Sequence, residues 1–155
     1  MDQMRSRFHL LLGFYQVVGG AIGLVLCLVG LGQFDTTNAL IVGVMVGAIL
    51  MYAYSVICGV FLLKVPTRLL RLRLSAVNQA VQVLVISSNS VTYKFVSGLA
   101  IIVGARTAPE MTLGLKFSLS SFLIHWGSAN AEVFYGIDLI ALILVVMIIQ
   151  EMRRT

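Results

Sequence analysis

Three stretches of the chain are almost purely apolar, and the segments between them follow other periods. Phe8 to Leu31 and Ala39 to Leu63 contain no Asp, Glu, Lys or Arg. At ~1.5 Å rise per residue the first is about 36 Å long as a helix, more than a ~30 Å hydrocarbon core requires, and the second is as long. The link Gly32 to Asn38 is short and polar. Residues 1–66 therefore read as an antiparallel transmembrane hairpin. A basic start before an apolar run is also the form of a signal peptide, but this run exceeds the ~7–15-residue apolar core of one and no clean small-x-small cleavage site follows. The third run, Val133 to Ile149, holds a single charge, Asp138. It is at the short limit for a span and gives a third transmembrane helix within 129–155.

Between Thr67 and Ile86 the apolar residues Leu70, Leu74, Val77, Val81 and Leu84 recur in steps of four and three, with Arg68, Arg71, Ser75, Asn78, Gln79 and Gln82 opposite them. That period predicts an amphipathic helix, and Pro66 stands where one can begin. Lipid phosphates near its arginines predict that it lies in the cytoplasmic membrane interface. From Val91 the helical period is lost. Val91 to Val103 is rich in β-branched and aromatic residues, and Gly114 to Ser120 alternates apolar with polar around a Pro109-containing break. Two such runs predict a β-hairpin. Residues 67–128 thus form an amphipathic helix and a hairpin on the cytoplasmic face.

The fold expected is mainly α and integral to the membrane: three transmembrane helices plus that interfacial helix and hairpin. A four-helix transmembrane bundle is the alternative, with 74–93 as the extra span. That segment is rich in Ser, Thr, Asn and Gln, which need a protein-lined cavity to face.

Composition agrees with a membrane setting. Hydrophobic residues are 59% and charged residues 11%, with mean hydropathy +1.01, whereas a soluble domain carries ~25% charged. A conventional soluble enzyme, a disordered chain and a collagen-like repeat are excluded. The net charge of +5 sits in clusters at the ends of apolar runs, which points to orientation and anionic lipid headgroups rather than nucleic acid. Arg5 and Arg7 before the first helix, and Lys64, Arg68, Arg71 and Arg73 after the second, place both flanks in the cytoplasm and the Asp35 loop outside.

Candidate sites are few. Gly19-x-x-x-Gly23 and Ala39-x-x-x-Gly43-x-x-x-Gly47 are small-residue stripes that let helix backbones approach closely, either to each other or across a dimer seam. Asp138 and Gln16 are the candidate polar positions within the predicted spans; an intramembrane carboxylate is a candidate for function or for a structural cap. Cys27 and Cys58 fall near opposite ends of their helices and read as buried free thiols. His9 and His125 have no ligand at metal-binding spacing, and no catalytic triad, phosphate loop or carboxylate pair is present. No catalytic residue, cofactor or metal is therefore expected. The role expected is that of a non-enzymatic membrane protein that associates with the bilayer and with itself or a membrane partner; the alternative is a small transporter or channel subunit lined by Asn78, Gln82 and Asp138.

The order of Phe14–Gly20, Asn78–Gln82, Tyr93–Gly98, Lys116–Ser120 and Gly136–Leu142 resembles that in small uncharacterised bacterial multi-pass membrane proteins. The resemblance implies a bacterial inner-membrane setting and no particular activity.

Overall fold

The structure, a computed structural model, describes residues 2–31, 38–64, 69–88, 91–107, 111–126 and 133–153. The Asp35 loop, Pro66, Arg68, Pro109 and Arg154 lie outside the described residues.

The uncharged runs form α1 (Asp2–Leu31) and α2 (Ala39–Lys64). Both contain stretches long and apolar enough to cross a membrane, Arg7–Gly30 and Ala39–Lys64. They pack along a seam of glycines. A Cβ on Gly13 would stand 3.1 Å from the Gly59 carbonyl oxygen, and one on Gly20 would stand 2.9 Å from the Tyr52 carbonyl oxygen. Only hydrogen at these positions lets the backbones approach so closely.

The rest of the chain corrects the three-span architecture and its four-helix alternative alike. Among the described residues four helices accompany a four-stranded antiparallel sheet, and two of the helices qualify as spans. The amphipathic segment is α3 (Leu69–Val83), followed at once by β1 (Leu84–Ser87). The two β-type runs pair as β2 (Val91–Arg106) and β3 (Thr112–Trp126). The expected third span divides into β4 (Phe134–Asp138) and a 14-residue helix, α4 (Leu139–Met152). At ~1.5 Å per residue α4 is about 21 Å long, short of a ~30 Å core. Asp138 causes the division. It keeps extended backbone, and its carboxylate accepts from the N–H groups of Ile140 and Ala141, which is N-cap geometry.

The sheet order is β1-β4-β2-β3. Strand β2 bends at a bulge between Val96 and Leu99. Its first half pairs with β1 through Tyr93 and Thr92, and its second half pairs with β4 from Ile102 to Arg106. Strands β1, β4 and β2 thereby close around Val85, Val96, Ala100, Ile102 and Phe134. Gly98 in the bulge has φ +107° and sits against the Tyr15 ring, which glycine alone tolerates.

Helix α3 does not lie on a surface with its polar side outward. Leu12, Leu62, Leu72 and Ile148 form one buried cluster of all four helices. Ser75, Asn78, Gln79 and Gln82 are fully buried, while Leu70 and Val77 are exposed. The periodicity is as expected and the facing is reversed. The same reversal runs through the molecule: Phe14, Leu28, Leu50, Leu99, Leu113, Phe117 and Ile143 are all at least half exposed.

Candidate functional site

Two features stand out, a buried polar network and an apolar cavity.

The network joins α1, α2, α3 and the β2 bulge. Ser75 Oγ donates to Gln16 Oε1 at 2.8 Å. Asn78 Nδ2 donates to Ser55 Oγ at 3.1 Å, and Ser55 Oγ lies 2.9 Å from Ser97 Oγ. Gln82 Nε2 donates to the Asn78 carbonyl at 3.0 Å, and its Oε1 accepts from the Ser97 N–H at 2.9 Å. On the far side of the bulge, Ser120 Oγ accepts from Gly98 N–H and donates to the Gly19 carbonyl. Tyr15 and Tyr52 donate to the carbonyls of Leu99 and Val96. A bulge leaves ladder groups without strand partners, and side chains of the helices and of Ser120 in β3 supply them here. Gln16 Nε2, Asn78 Oδ1 and both ends of the Gln79 amide have no hydrogen-bond partner among the described residues.

The glycine stripes separate. Gly23 abuts the Tyr52 ring of α2, but Gly19 faces the sheet, with a Cβ there 2.5 Å from Gly98 N. Gly43 and Gly47 have nothing within 4 Å of a built Cβ, and Ala39 is exposed. Gly43→Ala is therefore expected to leave thermal stability in detergent unchanged or raise it by up to about 1 kcal/mol, from helix propensity alone.

Asp138 is buried and committed to the backbone. Its Oδ1 accepts from Ile140 N at 3.0 Å, Ile101 N at 3.3 Å and Ala141 N at 3.4 Å, while Oδ2 has no partner. It lies outside both candidate spans. Burial raises its pKa above the ordinary value, against a lowering by those N–H groups and by Lys94. The sign follows from linkage: the ionised form is disfavoured on folding, so stability is greatest below the ordinary pKa of 3.8 and declines as pH rises toward the raised value. Asp138→Asn keeps the capping oxygen and removes that penalty. It is expected to be more stable than the parent at pH 7 and to lose the decline, measured by denaturation across pH 3–7. Asp138→Ala loses the cap and about 1 kcal/mol.

Five basic residues gather where four helix ends converge. Phe8 and Met152 pack on the cluster that contains Leu62 and Leu72. Arg7, Lys64, Arg71, Arg73 and Arg153 adjoin these positions in the chain. Lys64, Arg73 and Arg153 are exposed, and Arg71 donates to the Phe61 carbonyl at 2.7 Å while lying over its ring. The sequence alone leaves the side of the chain's end open, so it does not mark Arg153 as a member of this group.

The cavity lies between α1, α2 and β3, with a volume of about 580 Å³. Leu26, Cys27, Ile41, Val44 and Met45 wall it, and residues 120–124 of β3 border it. This volume is in the ~300–1,000 Å³ range of small-ligand sites. Among the described residues no charged side chain lines it. Nothing in the sequence pattern marked this cavity, because its walls come from segments nearly a hundred residues apart. Among the described residues no group of three His, Cys, Asp or Glu side chains is placed to hold a metal ion.

Compared with known protein families, curated proteins and solved structures, the chain matches none.

Proposed function

We propose that the chain is a non-enzymatic, multi-pass protein of the bacterial inner membrane that acts by binding a partner or a second copy of itself. Helices α1 and α2 cross the bilayer, and the remaining elements pack on that pair. The observation that carries this reading is the reversed distribution of polarity. Gln16, Ser55, Ser75, Gln79, Gln82 and Ser97 are fully buried, while large apolar side chains are exposed on every element. In water this arrangement wastes apolar surface and buries groups that solvent would hydrate. In lipid it is the favourable one, since the exterior is matched and most of the buried polar groups find partners inside.

The shared cluster of Phe8, Leu62, Leu72 and Met152 supports a topology in which the start of α1 and the end of α4 share the side of the basic group, which the positive-inside rule assigns to the cytoplasm. Reporters fused before Met1 and after Thr155 are expected to report the cytoplasm both times, and one inserted in 32–37 the opposite side. Membranes washed with alkaline carbonate are expected to retain the protein. Release into the wash, or ends on opposite sides, would overturn this reading.

A further inference from the structure

We propose that the cavity between α1, α2 and β3 receives a short, uncharged, apolar peptide segment in extended conformation, which pairs with β3 as an added strand. The inference deepens the partner-binding reading above and rests on it.

The lining of the cavity carries the first step. Ser120, which lies opposite the bulge with φ +24°, borders it together with Ser121, Phe122, Leu123 and Ile124, and these last four are consecutive residues paired regularly with β2. Successive side chains of a strand point to opposite faces, so an unbroken run borders a cavity along the strand's edge rather than on one face. The other edge of β3 is occupied: Ser121, Phe122, Leu123 and Ile124 stand opposite Val96, Phe95, Lys94 and Tyr93 of β2. The edge facing the cavity is the one that no strand pairs among the described residues.

Closure of the rest of the sheet isolates this edge. Strands β1, β4 and β2 pair with one another in a ring, and only β3 stands at the open end. A free edge presents a row of N–H and C=O groups that require partners.

The walls select the chemistry. Leu26, Ile41, Val44 and Met45 offer contact but no hydrogen bonds, the polar side chains of Asn38 and Tyr52 that also line the space are bonded to the Leu40 N–H and the Val96 carbonyl, and among the described residues no charged side chain lines it. A hydrocarbon chain would suit these walls and leave the edge unsatisfied, which is costly away from water. A charged peptide would satisfy the edge and lose its own hydration. An uncharged apolar peptide does both, in the manner of strand addition, with backbone bonds on one side and side chains against α1 and α2. A whole second copy of the long β3 exceeds the space; a short stretch of chain fits it.

Cys27 lines the cavity and reports its occupancy. In the full chain carrying Cys58→Ala, purified in mild detergent, the rate of Cys27 alkylation by N-ethylmaleimide is measured with three probes. These are an acetylated, amidated Val-Ala-Val-Ala-Val peptide, the same peptide N-methylated at alternate amides, and palmitate. The expected result is at least tenfold slowing by the first and none by the others, with the protection lost in Val44→Trp, which fills the cavity. Equal protection by palmitate or the N-methylated peptide overturns the proposal in favour of a hydrocarbon site. Unchanged alkylation with every probe also overturns it; because Cys27 is buried, the reagent is used in an excess at which the unprotected thiol reacts. In the wild-type chain, isotope-edited infrared spectra of the labelled peptide give an independent readout: a paired-strand amide band is expected, and a disordered one overturns the proposal. Carbonate release of a protein that still shows selective protection would reject only the membrane reading. Retention without that selectivity would reject only the proposal.

Discussion

A Gly19→Ala variant is expected to lose about 3 kcal/mol of stability, although alanine is the better helix former. The added Cβ would stand 2.5 Å from Gly98 N, 2.6 Å from Gly98 Cα and 2.7 Å from the Ser97 carbonyl carbon. These are backbone atoms, and they cannot step aside as a flexible side chain can. Gln82 Oε1 holds Ser97 N–H, Ser120 Oγ holds Gly98 N–H, and Tyr15 holds the Leu99 carbonyl. Either α1 retreats from the sheet and breaks those bonds, or the bulge distorts. Overpacking of this kind typically costs ~1–3 kcal/mol, and the rigidity of the target places Gly19 at the upper end. The gain in helix propensity, up to ~1 kcal/mol, is already offset within that figure. Thermal unfolding in mild detergent, followed by circular dichroism, is the measurement. A Gly19→Ala variant as stable as Gly43→Ala would show that α1 does not rest on the bulge.

Gln82→Leu gives the second large effect, about 2–3 kcal/mol of destabilisation. Leucine is similar in size and apolar, so a conventional core would accept it. This core would not. The amide of Gln82 accepts from Ser97 N–H at 2.9 Å and donates to the Asn78 carbonyl at 3.0 Å. The Ser97 N–H lies in the bulge, where no strand can pair it, and Ser97 is fully buried. Leucine leaves that donor orphaned, at ~1–3 kcal/mol, and unlinks α3 from β2. The Ser97 amide is expected to exchange its hydrogen much faster in the variant. Unchanged exchange and unchanged unfolding would show that the bulge is held by other contacts.

These two positions show where sequence reading reached and where it stopped. The uncharged runs and their lengths follow from composition alone, and they are α1 and α2. The β-type runs are also local properties and appear as β2 and β3. The period of α3 was legible, but its facing was not. A moment along a helix says which residues share a side, not whether that side meets lipid, water or protein. Here Ser75, Asn78, Gln79 and Gln82 turn inward because Gln16, Ser55 and the β2 bulge provide partners for most of their polar groups.

Strand β4 reads in the sequence as part of a span because Val133 to Ile149 holds a single charge. Asp138 separates strand from helix by capping, and Gly136, opposite Gly104 and Val85, joins the ladder. Gly19 and Gly43 look alike as members of glycine stripes, yet one touches backbone and the other touches nothing within 4 Å. The basic ends of four helices form a single group only because Leu12, Leu62, Leu72 and Ile148 meet.

The amino-acid sequence by itself determined the two candidate spans, the scarcity of charge and the local preference of each segment, because each depends on residues near one another in the chain. Tertiary structure alone decided which faces are buried, which glycines are needed and where a cavity opens beside an unpaired strand edge. Those features are set by contacts between residues as distant as Gly19 and Ser120, and no local pattern encodes them.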